Sequence, residues 1–518
     1  MRSRVPSAGE DCFIETGSYR ATCPLGITSL VPDHTPFHTQ LTGTNCGHKI
    51  VKRTRFKLKK WLSETMRLIV FSTLAILAFS APAALGQAIK PVPPDERFKA
   101  DILLVVAHPD DETEVTGYLA RAIFDQHKRV AVIFGTRGDG GGNAAGQEQA
   151  AALGAEREIE ARRALGVLGV TNIWFLGGPD TPGQDVLRSL ETWNHGAALD
   201  QVVRLVRLTR PEVILTWLPD SVAGENHGDH QAAGVIATEA FDMAGDPTAF
   251  PEQLAAPRDR NNIGNLTEGL HPWQTKKIYY FSDATETGFQ SGKGPHYPTE
   301  EDSPSKKTPY YKVAAEEMSF HLTQDDTGQM ATAAIGKGDY AYFRQPVLLI
   351  LGKSLVGGSI TGDIFEGITA DSIPFSPHPG YKPVQRSGIS MELGGPWSFY
   401  REFWQVHGLL QLSELLPEVG INVVPAERIQ VPLLLHNDSD ADAIVTITEN
   451  VPDGWTEASG SGPYVVPAHQ DVSLYFKAKT AASAGKAAQK LVLSAETLGA
   501  SIQPITILVY ADRAALPQ

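Results

Sequence analysis

The sequence predicts an α/β fold, a mostly parallel sheet with helices on both faces, followed by a C-terminal β-sandwich. Three observations predict it. Short, continuous apolar runs alternate with helical patterns from residue 101 onward. A burst of charge follows the first of these runs, in LLVVAHPDDETE (103–114). Near residue 420 the texture changes to closely spaced strand patterns broken by Pro and Gly.

In chain order, the first feature is an export signal. Residues 66–86, MRLIVFSTLAILAFSAPAALG, place one Arg before an apolar stretch that ends in small residues, the layout of a secretory signal peptide. The apolar stretch is shorter than the ~20 residues a membrane span needs. A signal normally opens a chain, so translation is expected to start at Met66. Residues 1–65, which include the basic run VKRTRFKLKK, then form a non-native or disordered extension; an unusually long leader is the alternative. Cleavage near Gly86/Gln87 implies a secreted or periplasmic protein with no stable membrane span.

Without residues 1–86 the chain keeps 34 Lys and Arg against 54 Asp and Glu, a formal charge of −20. That balance argues against nucleic acid and anionic membranes as partners. Cys12, Cys23 and Cys46 all lie in the removed piece, so the mature chain has no disulfide and no thiolate metal ligand.

The first folded region is expected over 95–415. DILLVVA (101–107), RVAVIFG (129–135), NIWFLG (172–177) and EVILTWL (212–218) read as strands. They are rich in β-branched and aromatic residues and lack polar alternation, as in a sheet covered on both faces. Helical patterns at Glu112–Gln126, Gln147–Leu168 and Gly196–Thr209 separate them, which gives a Rossmann-like arrangement. Ligands of such sheets bind beyond the carboxyl ends of the strands. His108, Asp110 and Asp111 stand there after the first strand, and His227, Asp229 and His230 after the fourth. Two His and one Asp make a three-ligand metal site with one position left open, as catalytic zinc requires.

AHPDDE followed by HGDH resembles the signature of the PIG-L/LmbE-like deacetylases, zinc enzymes that remove acetyl groups from N-acetylglucosamine-type amides. The resemblance covers roughly 99–330 and includes TRGDGG (136–141), Arg157, Glu160 and RPEVILT (210–216). It implies that His108, Asp111 and His230 hold Zn²⁺, with Fe²⁺ or Mn²⁺ as alternatives. Asp110 becomes the general base, and His227 the oxyanion stabiliser or the acid for the leaving amine. Arg157 becomes a substrate-binding candidate, with a solvated pair to Glu160 as its plainer reading. The implied partner is an N-acetylated sugar or glycoconjugate. Two departures stand out. Gly228 replaces the usual Pro and should loosen its loop, and Glu225 and Asn226 occupy the region where some members carry a tyrosine.

Further on, WQTKKIYYFS (273–282) reads as a strand and KVAAEEMSFHLTQ (312–324) as a helix, with His321 and Gln324 matching a late family pattern. TRGDGGGNAAG (136–146) suits a flap over the pocket or a surface loop. GKS at 352–354 is no phosphate loop, because Val347 stands where the motif needs Gly. Five or more strand patterns over 420–512 predict an immunoglobulin-like sandwich that folds as a separate unit. Two other functions share these residues. A non-haem iron oxygenase uses the same ligand types, and a carbohydrate-binding protein on a degenerate scaffold would lack the intact base.

Overall fold

The computed structural model describes residues 94–510 apart from 222–226, 255–268, 285–287, 325–326, 378–385, 416–418 and 483–487. The expected extension at 1–65 and signal at 66–86 lie outside the described residues, as do Glu225 and Asn226.

Five parallel strands build the central sheet: β1 (Ile102–Val106), β2 (Val130–Thr136), β3 (Asn172–Gly178), β4 (Val213–Trp217) and β5 (Lys277–Phe281). Every residue of β1, β2, β4 and β5 is buried. Both faces are therefore covered, which is why these strands show no alternation in sequence. A short hairpin-like pair, β6 (His296–Tyr297) with β7 (Val347–Leu348), stands apart, and β8 (Ile350–Ser354) adds an antiparallel edge. The order is β3-β2-β1-β4-β5-β8.

Helices α1 (Thr116–Phe124) and α2 (Ala151–Leu168) pack with α6 (Tyr310–Met318) and α7 (Thr327–Lys337) into one helical layer. Helices α3 (Val186–Thr192), α4 (His195–Thr209) and α5 (Gly228–Met243) form the other. The approach of α5 to β4 demands glycine. A Cβ on Gly234 would stand 2.3 Å from the Trp217 carbonyl oxygen. Two boundaries differ from the sequence reading. A 3₁₀ turn (Asp111–Glu114) precedes α1, and α6 stops at Met318, so His321 and Gln324 sit on the irregular segment after it.

The C-terminal strands form two sheets. One has the order β10 (Val419–Asn422), β17 (Ala500–Tyr510), β16 (Gln489–Thr497), β12 (Ala443–Asn450), β14 (Gly462–Val466). The other runs β13 (Thr456–Ser459), β15 (Gln470–Lys479), β11 (Arg428–Asn437), β9 (Ile389–Leu393). Val431, Leu433, Leu435 and Phe476 of one sheet share an apolar core with Val445, Ile447, Leu491 and Val509 of the other.

One strand, β9, pairs across the expected division between 415 and 420. Its residues Ile389–Leu393 pair antiparallel with Leu433–Asn437 of β11, so the strand-rich layer recruits a segment assigned to the first domain. Directly afterwards α8 (Pro396–Val406) turns back to the α/β part. There Tyr400 donates to Gln231 Oε1 at 2.7 Å and Trp404 Nε1 to the Pro219 carbonyl at 3.0 Å. A five-residue strand beside an amphipathic helix reads as mixed texture, and only its pairing partner reveals its allegiance. No described helix is long and apolar enough to cross a membrane.

Candidate active site

The chain lays β2 and β3 on one side of β1, then β4 and β5 on the other. Loops leaving β1 and β4 therefore diverge and open a crevice at their carboxyl ends. His108 and Asp111 follow β1, His227 to His230 open α5 after β4, and Asp283 follows β5.

Asp111 is fixed first. Its Oδ2 accepts from the backbone N–H of Ala107 (2.8 Å) and His108 (3.0 Å) and from Trp217 Nε1 (2.6 Å). That leaves Oδ1 facing His230 Nε2 at 3.2 Å and His108 Nδ1 at 3.6 Å, while the two ring nitrogens stand 3.1 Å apart. Ligands bonded to a tetrahedral ion at about 2.0–2.1 Å are separated by about 3.3–3.4 Å. The three atoms thus match one face of a tetrahedral metal site, and the donor set, two imidazoles and a carboxylate, suits zinc.

The outer nitrogens of both rings face acids. His108 Nε2 lies 3.3 Å from Asp229 Oδ2, and His230 Nδ1 lies 3.4 Å from Asp283 Oδ2. Trp217 stacks on His230 with centroids 4.0 Å apart. Such partners fix a ligand's tautomer and ring orientation. Electrostatics also fits a cation. Burial opposes charge on His108, yet Asp111 and Asp229 raise its pKa well above the usual value. Burial likewise opposes charge on His230, but Asp111 and Asp283 push it up to about 10. Burial disfavours the ionised Asp111 too, and His230 and His108 still hold it well below the carboxylate range.

His227 behaves differently. It caps α5, its Nδ1 accepting the Asp229 N–H at 3.1 Å. Burial, then the neighbouring His108 and His230, lower its pKa to about 3. A neutral ring with an occupied Nδ1 carries its proton on Nε2, so it is a donor. Asp110 is half-buried, and burial followed by the Asp111 charge pushes its carboxyl up to about 7. Its backbone is left-handed, φ 109° and ψ −21°, a conformation non-glycine residues rarely hold.

The structure thus brings His108, Asp110, Asp111, His227 and His230 to one crevice. Arg157 is bonded to other parts of the protein. It is 4% exposed and its guanidinium donates to the carbonyls of Gly138, Gly142 and Thr323 and to Thr323 Oγ1. These four bonds anchor it to the protein itself. The same bonds tie down the loop expected as a flap, as does Gly140 N–H to Asp180 Oδ2 at 2.7 Å. The Gly228 N–H, which Pro would lack, donates to the Gly183 carbonyl at 2.9 Å. Sequence reasoning missed Asp283 and Trp217, although both sit at strand ends. It gave Asp229 no task.

Residues 103–241 match the family described as PIG-L, GlcNAc-PI de-N-acetylase. This stretch is a PIG-L domain. Over 194 residues the chain is 34% identical to 1D-myo-inositol 2-acetamido-2-deoxy-alpha-D-glucopyranoside deacetylase of Geodermatophilus obscurus, covering 35% of this chain and 60% of the relative. An identically named protein of Streptomyces scabiei is 28% identical over 311 residues, 54% of this chain and 93% of the relative. The chain spans 57–60% of the length of the first curated relatives it matches. Among solved structures, N,N'-diacetylchitobiose deacetylase from Pyrococcus horikoshii is 18% identical, covering 49% of this chain and 84% of that one with a TM-score of 0.35. The matched stretch runs from within β1 through most of α5, and so contains His108, Asp110, Asp111, His227 and His230.

Proposed function

We propose that the chain is a zinc-dependent N-deacetylase that hydrolyses the acetamide of an N-acetylglucosamine-type sugar. The observation that carries this reading is the triangle of His108 Nδ1, His230 Nε2 and Asp111 Oδ1, with edges of 3.1–3.6 Å, beside the unligated Asp110. These three side chains would hold the ion, which when bound supplies Lewis acidity where a water and the acetamide carbonyl meet. Asp110 takes the proton of the attacking water as the C–O bond forms. It returns that proton to nitrogen as the C–N bond breaks, giving acetate and the free amine. His227 donates Nε2–H to the oxygen on which negative charge develops. Its neutral ring suits a donor of hydrogen bonds better than a donor of protons. Asp229 and Asp283 keep the two ligand rings in register.

The names of the relatives support an acetamido sugar as substrate. The signal-like layout of 66–86 supports export, and the two C-terminal sheets around one core support an immunoglobulin-like module. The test is acetate release by the full-length chain, metal-free and reloaded with Zn²⁺, Mn²⁺ or Fe²⁺. The substrates are N-acetylglucosamine, diacetylchitobiose and the acetamido-glucosyl inositol. Zn²⁺-dependent acetate release is the expected result. Release that persists after complete metal removal would sink the reading.

A further inference from the structure

The segment His321–Gln324, reading HLTQ after α6, takes no part in the hydrolysis just described, yet it is bonded to the segment after β1 and, through Arg157, to the loop after β2. His321 is fully buried with Nε2 3.0 Å from Glu112 Oε1. The other oxygen of that same carboxylate, Oε2, accepts the backbone N–H of Asp110 at 2.9 Å. Gln324 Nε2 donates to the Pro109 carbonyl. Thr323 donates from N and Oγ1 to Glu160 and receives Arg157, which also holds the Gly138 and Gly142 carbonyls. Both polar groups of the Pro109–Asp110 peptide are therefore held, the carbonyl by Gln324 directly and the N–H by Glu112, which His321 holds in turn.

The conformation being pinned is the unusual one. A left-handed backbone at a non-glycine residue persists only where its surroundings over-determine it, and such residues cluster at functional sites. Here it separates the tasks of two consecutive acids. Asp111 folds back onto the N–H groups of Ala107 and His108, while Asp110 is left out of that set of bonds. We propose that Glu112, held by His321 and seconded by Gln324, is the positioning residue that keeps Asp110 in this conformation. The proposal rests on reading Asp110 as the base.

The plainer alternative is a buried pair that only satisfies itself. Its loss would cost stability without a selective effect on turnover. The experiment uses the full-length zinc-loaded protein and the acetamido sugar that releases acetate fastest. His321→Leu removes the donor, His321→Gln replaces it with an amide N–H at the same reach, and Asp110→Asn is run beside them. His321→Leu should lower kcat about 10- to 100-fold, the range expected when a catalytic group shifts by about 1 Å. KM should stay within about threefold, zinc affinity measured against a competing chelator should not change, and hydrogen exchange in peptides covering 108–112 should accelerate. His321→Gln should recover most of the turnover.

The proposal is overturned if folded His321→Leu keeps its kcat while Asp110→Asn loses it, or if His321→Gln is no better than His321→Leu. Where His321→Leu does not fold, Gln324→Leu, which breaks only the Pro109 contact, must show the same kcat loss at constant KM. An unchanged kcat there overturns the proposal equally. If Asp110→Asn itself retains its rate, the reading of the base fails instead. The exchange measurement, which needs no turnover, then still decides whether His321 holds the 108–112 loop.

Discussion

The parallel sheet and the two C-terminal sheets bury apolar side chains by different rules. In β1 and β4 every residue is buried, and the proposed site residues lie in the segments that follow the strands, His108 two residues after β1 and His227 ten residues after β4. In β11 buried and more exposed positions alternate along ten residues, and none of the proposed ligands lies in these sheets. A strand covered on both faces offers only its ends for function, whereas an alternating strand has an outer face to spare. That difference fits a crevice crowded with acids and imidazoles beside a C-terminal core that is mainly apolar. Perturbing each region should therefore give separable effects.

The largest expected effect lies at the strand ends. Asp110→Asn should reduce kcat about 10²–10⁴-fold while zinc stoichiometry stays at one per chain. Near-normal turnover in that variant would assign the base elsewhere. In the other region, Leu435→Ala removes a fully buried side chain between the C-terminal sheets. It should cost about 2–5 kcal/mol of stability, seen as a lower melting temperature, with kcat unchanged at temperatures where the protein stays folded. A parallel loss of kcat would show that the two regions are energetically coupled through β9 and α8.

Smaller effects sharpen the picture inside the crevice. Asp229→Asn and Asp283→Asn each remove a carboxylate behind a ligand ring and should weaken zinc binding by about 10- to 100-fold, measured by chelator competition. If only Asp229 matters, the 3.4 Å approach of Asp283 to His230 has no orienting role. The smallest effect concerns Asp220, buried near the end of β4, where burial pushes its carboxyl up to about 7. Its folded pKa exceeds its unfolded one, so its favourable contribution is complete below about pH 4 and is lost as pH rises through 7. Asp220→Asn should flatten the fall in stability between those values, with little change at pH 4. A denaturation series that keeps the wild-type slope would show that Asp220 does not titrate there.

How much of this was legible in the sequence follows from the same physics. The strands of the central sheet were readable because continuous apolar runs between helices admit few folds. The ligands were readable because they stand in short polar motifs on the segments that follow β1 and β4. Arg157 was not, since its spacing to Glu160 on α2 says nothing of Thr323, 166 positions away. Nor was Asp283, which no short motif attaches to His230. The allegiance of β9 depends on β11, more than forty residues later. The tasks of Glu112 and His321 rest on a contact spanning 209 positions. What is local in the chain was visible, and what depends on distant pairing needed the fold.

The most direct test of the central claim is the position of the ion itself. Anomalous scattering at the zinc edge from crystals of the zinc-loaded protein locates it without reference to turnover. The account predicts one peak about 2.0–2.2 Å from His108 Nδ1, His230 Nε2 and Asp111 Oδ1. A peak held instead by Glu112, Glu317 and His321, whose ligating atoms also lie within 4.8 Å of one another, would contradict it.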